Sequence, residues 1–103
     1  MAIIRYTSPT QEILLKSIDL TSADRVCVTY RNGTFCRTLE DVTVEAVDDD
    51  TMITVELDQE LTSRFDARRE LYIQVNWMED GKRLATRIKR ADVCQNLLEE
   101  VLS

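Results

Sequence analysis

Leu71-Tyr72-Ile73-Gln74-Val75-Asn76-Trp77, followed by Asp80-Gly81 and then residues 82–89, decides the reading of this chain. Leu71, Ile73, Val75 and Trp77 alternate with polar residues at period two, the spacing that puts one side of a strand against a core. Asp80-Gly81 supplies two residues that tolerate positive φ, which a tight hairpin turn needs. Beyond it, Leu84, Thr86 and Ile88 share a face of the returning strand. Trp77 is in phase with the apolar set and is expected in the core. Tyr72 has the opposite phase and is a candidate interface aromatic.

Outward from this hairpin the same period recurs. Val26, Val28 and Tyr30 alternate over residues 25–31, and Asn32-Gly33 is the strongest short hairpin signal in the chain. Placing the turn there makes residues 34–38 the returning strand and pairs Thr29 with Cys36. Residues 42–47 and 51–57 form a second strand pair around Asp48-Asp49-Asp50. Upstream, Ile3, Ile4 and Tyr6 begin a first strand, and Ile13, Leu14 and Leu15 mark another. Asp58 is placed to cap a short helical turn that returns Leu61 and Phe65 to the core. Seven or eight short strands in a 103-residue chain predict one mostly-β domain over residues 1–103. The expected fold is a small antiparallel, immunoglobulin-like β-sandwich.

The period changes at the end. Asp92-Val93-Cys94-Gln95 reads as a capping box, and Val93, Leu97 and Val101 fall at helical spacing, widened by Leu98 and Leu102. The spacing predicts an amphipathic helix over about residues 92–102. A helix that short must dock on something, so Val93, Leu97, Leu98, Val101 and Leu102 join Tyr72 as candidate interface residues.

Absent residues limit the chemistry. The chain has no histidine and only two glycines. It therefore carries neither a Ser-His or Cys-His pair nor a glycine-rich phosphate loop. No enzymatic activity and no cofactor are expected. The three cysteines, Cys27, Cys36 and Cys94, are odd in number and read as reduced, part-buried thiols. Asp48-Asp49-Asp50 could offer oxygens to calcium, but three consecutive turn residues seldom converge on one ion. A solvated turn is the plainer reading.

The net charge of −6 repels phosphate backbones, so no nucleic-acid partner is expected. The cations Lys82, Arg83, Arg87, Lys89 and Arg90 form the one basic run, read as a solvated strand face. No apolar stretch is long enough to cross a bilayer, and no signal peptide is recognised, so no membrane partner is expected.

Several segments, in order, resemble a family of about 100-residue proteins from the structural gene blocks of tailed phages and prophages of gut Firmicutes. Arg5-Tyr6-Thr7-Ser8-Pro9-Thr10 and Glu12-Ile13-Leu14-Leu15 are similar to the family's opening segment and first long strand. Val26 to Gly33 resembles its VxVTYxQxG hairpin, and Val55 to Thr62 its VxLTQEET turn. Tyr72 to Trp77 with Asp80-Gly81 resembles xIQVRxxxxDG, and Val93 to Leu102 its VxxxLxxxVL end. The resemblance implies a virion component of the tail, baseplate or fibre-attachment region, made in the bacterial host cytoplasm. Other virion proteins and further copies of the chain would be its partners. Capsid decoration, a head–tail connector, and a binding module outside the virion that engages a host protein are the alternatives.

Overall fold

Two sheets carry nearly all the regular structure of the chain, which a computed structural model describes over residues 2–100. The elements are β1 (Ala2–Ile4), β2 (Thr10–Leu15), β3 (Arg25–Asn32), β4 (Phe35–Leu39), β5 (Thr43–Val47), β6 (Asp50–Glu56), α1 (Gln59–Ser63), β7 (Leu71–Glu79), β8 (Lys82–Ala85) and β9 (Lys89–Cys94). The larger sheet has the order β1-β9-β7-β3-β4, with β8 paired to β7, and the smaller has the order β2-β6-β5. All pairings are antiparallel except β1 with β9. The protein is thus a mostly-β, two-sheet sandwich.

Period-two alternation explains the packing. Leu71, Ile73, Val75 and Trp77 of β7 are buried, as are Val28 and Tyr30 of β3, Ile13 and Leu15 of β2, and Ile53 and Val55 of β6. They form one apolar cluster between the sheets, completed by Leu61 and Phe65. Asp58 caps α1 as its position suggests, with Oδ1 accepting from the Leu61 backbone N–H at 2.7 Å. Asp58→Ala is expected to cost about 1 kcal/mol, a fall of roughly 4–8 °C in melting temperature that calorimetry would detect.

Tyr30, which the sequence leaves partly exposed, is fully buried and donates its phenol hydrogen to Gln11 Oε1 across the sheets. Burial raises the phenol well above the ordinary tyrosine range. The folded state therefore favours neutral tyrosine more than the unfolded chain does. That contribution is complete below the unfolded value of about 10 and is lost as pH rises through the higher folded value. Tyr30→Phe should cost about 1 kcal/mol at neutral pH and flatten the alkaline loss of stability. Urea melts across the alkaline range would show this. Tyr72 titrates with the same sign and is present in both proteins, so the difference isolates Tyr30.

Three sequence expectations need correction. The first hairpin turns at Gly33-Thr34, because Asn32 pairs with Phe35 and Thr29 with Thr38. Gly33 takes φ 62° as the first loop residue, where a type II′ turn places glycine. Asn32 is buried and belongs to the strand. Its Nδ2 donates to the carbonyls of Asp66, Arg69 and Glu70, and its Oδ1 accepts from the Asp66 N–H at 2.6 Å. In this register Cys36 faces Arg31, far along the strand from Cys27. Cys27 is half-buried, while Cys36 and Cys94 are exposed rather than part-buried; all three are free thiols.

The second correction concerns the return from the Asp80-Gly81 turn, whose residues take φ 51° and 76°, as a type I′ turn requires. The returning strand is broken into β8 and β9, and its register against β7 slips by one residue between them. This is a β-bulge. Thr86 holds it, with its N–H donating to the Val75 carbonyl at 2.9 Å and its Oγ1 accepting from the Val75 N–H at 3.1 Å. Continuous pairing would set Ile88 opposite buried Ile73. Across the bulge Lys89 takes that place, and Ile88 is left 59% exposed.

The third lies at the C-terminal end. Residues 92–94, expected to open a helix, are the end of β9, and no helix follows over residues 95–100. The parallel ladder with β1 holds them extended, directly after residues 89–91 have paired with β7. Asn96 then secures the chain, donating Nδ2 to the Arg5 carbonyl at 3.0 Å while its Oδ1 accepts from the Leu98 N–H. The remainder of the expected helix, with Val101 and Leu102, lies outside the described residues.

Candidate functional site: sheet faces and edges

Of the six candidate interface residues four are described, and the fold places Tyr72, Val93 and the Leu97–Leu98 pair in three different settings. Val93 is buried in the core opposite Ile3 and is unavailable to a partner. Leu97 is fully exposed and Leu98 is exposed, both on the irregular segment after β9. Tyr72 is exposed on the outer face of the larger sheet. Its hydroxyl donates to Glu70 Oε2 at 2.8 Å, and Arg90, paired with Tyr72 across the strands, approaches Glu70 at 3.6 Å. The hydrogen bond to Glu70 is the chief reason its phenol titrates above the usual range.

The same outer face carries a groove of about 320 Å³, lined by Arg25, Cys27, Thr38, Glu40, Asn76 and Arg83 among others. Arg25 and Glu40 form an ion pair across one end. Among the described residues, no group of three or more His, Cys, Asp or Glu is placed to hold a metal ion. No helix among them is long and apolar enough to cross a membrane.

The charged segments show the most pronounced organisation. The run over residues 82–90 becomes a ribbon made of β8, the bulge and β9. Its five cations are all exposed, and among the described residues only Arg90 reaches a carboxylate. Leu84 and Ile88 lie among them, 42% and 59% exposed. Among the described residues β8 pairs only with β7, which leaves its other edge open there. Asp48 and Asp49 form the turn of the β5–β6 hairpin, beside Val47, which is 41% exposed. Glu45 is exposed on β5, itself an edge strand. None of Glu45, Asp48 and Asp49 has an ion pair among the described residues.

The sequence marks both charged runs but not the apolar residues that stand among them. Ile88 is exposed by the bulge, and Leu84 faces inward opposite Trp77 yet remains part-open. Neither effect has a local sequence signal.

No family model matches the chain, and no curated protein does. Among solved structures, murine CRIg is similar at 13% identity over 93% of this chain and 91% of that chain, with a TM-score of 0.38.

Proposed function

We propose that this chain is a non-enzymatic structural component of a tailed-phage virion. It serves as an adaptor in the tail, baseplate or fibre-attachment region and acts by packing against other proteins. The observation that carries this reading is the concentration of the distinctive surface features on sheet edges and strand faces: edges at β5 and β8 left open among the described residues, with unpaired charge and exposed apolar residues beside each. Such edges are where a neighbouring chain can add or dock. The ordered resemblance of its segments to the phage family supplies the setting.

The finer fold assignment belongs with this proposal. The order β2-β6-β5 opposite β9-β7-β3 follows the B-E-D and G-F-C order of immunoglobulin sandwiches. This supports an immunoglobulin-like sandwich, with β4 and β1 as added edge strands.

Deletion of the gene from a prophage, with complementation, tests the role. Particles from the deletion strain should lack a tail or baseplate feature in electron micrographs, and complementation should restore it. Complete, infectious particles from the deletion strain would overturn the proposal. A second reading is a binding module outside the virion, favoured by the Arg25–Glu40 groove. It would show as complete particles together with recovery of a specific host protein that a substitution in that groove abolishes.

A further inference from the structure

We propose that the basic ribbon formed by β8, the bulge and β9 in one copy seats the acidic β5–β6 hairpin of a second copy, so that the chain self-associates through these two patches. This rests on the reading of the chain as an assembly protein and gives it a contact surface. The two patches match in chemistry. Arg83 and Arg87 stand beside exposed Leu84 and Ile88, while Asp48 and Asp49 stand beside exposed Val47. Each therefore combines exposed apolar residues with charge of one sign along an open strand edge, and the signs are opposite. Interfaces combine apolar contact with complementary charge.

Among the described residues no ion pair joins the two patches of one molecule. Only residues 40–42 connect β4 to β5, which puts those two edge strands on one flank of the sandwich. β8 and β9 lie on the opposite side of β7 from β3 and β4, at the other flank. The acidic turn and the start of the basic ribbon lie on opposite flanks at the same end of the sandwich, bridged by the β2–β3 connection, where Leu20 bonds Thr51 and Asp24 bonds Met78. Each copy carries both patches, so the contact either closes as a two-fold dimer, with each hairpin on the partner's ribbon, or propagates into a ring or stack. Both patches adjoin open strand edges, so backbone pairing between β5 of one copy and β8 of the next can add to the side-chain contact.

Two charge-reversed proteins test this, R83E/R87E and D48K/D49K, followed by light scattering over a range of concentration. In low salt the wild-type mass should rise above the 11.9 kDa monomer and fall back in high salt, because exposed charge pairs are screened. Each variant should weaken self-association by about tenfold or more. An equimolar mixture should recover it, since the intact hairpin of the first variant meets the intact ribbon of the second. Reversing two charges shifts the net charge of −6 by four in either direction. Both variants therefore remain acidic, and recovery is not attraction between oppositely charged proteins. Melting curves confirm that both are folded. A monomeric wild type in low salt, variants that associate like the wild type, or a mixture that stays monomeric would each overturn the proposal. None of these outcomes decides the virion role, which the deletion experiment reads independently.

Discussion

Val93→Asp is expected to abolish cooperative unfolding, whereas Leu97→Asp should leave stability within about 0.5 kcal/mol of the wild type. Val93 is buried in β9 opposite Ile3 of β1, in the same core cluster as Ile3 and Leu71. A carboxylate there loses its hydration and gains no cation, a penalty of several kcal/mol. Domains of this size have only about 5–15 kcal/mol in total. Leu97 lies in water and loses nothing on substitution. On a C-terminal amphipathic helix the two would share one stripe and respond alike. Circular dichroism melts of the two variants separate the cases, and equal effects would contradict the β9 pairing.

Asn32 gives the second large effect. Its amide closes the link between α1 and β7 by serving three carbonyls and one N–H. Asn32→Ala strands those groups in a part-buried site and should cost about 2–3 kcal/mol, or roughly 10–20 °C in melting temperature. Asn32→Asp should cost more, because it replaces the donor with an oxygen facing three carbonyl oxygens. Asn32→Gly is the discriminating variant. A residue that merely formed the turn would tolerate glycine, whereas the amide clamp is lost with it. A melting temperature for Asn32→Gly equal to that of the wild type would remove the clamp from the account.

These two sites show what was legible in the sequence. The strands were, because alternation is local: Leu71 to Trp77 and Val26 to Tyr30 read as strands from their own spacing, though the full burial of Tyr30 did not follow from it. The Asp80-Gly81 turn and the Asp58 cap depend on residues within a few positions and were legible for the same reason. Asn32 was not, since Asn-Gly is a turn signal by itself and the groups that bury it lie more than thirty residues away. The C-terminal segment was misread as a helix from Val93, Leu97 and Val101, although Ala91 and Val93 also fit the alternation of a strand. The parallel pairing with β1, at the opposite end of the chain, decided for the strand over residues 92–94. The bulge at Thr86 was equally silent, and it changes the surface by putting Lys89 where Ile88 would sit. Of the candidate site, Tyr72 was recoverable from its phase opposite Trp77. Both charged runs were visible too, but their places on opposite flanks emerge only from the order of strands in the sheets.

Quantitative mass spectrometry of density-purified particles tests the central claim most directly. The account predicts the chain in multiple copies per particle, in a fixed ratio to the tail proteins and resistant to washing. Particles of full protein complement that lack the chain, purified from cells that express it, would contradict that claim.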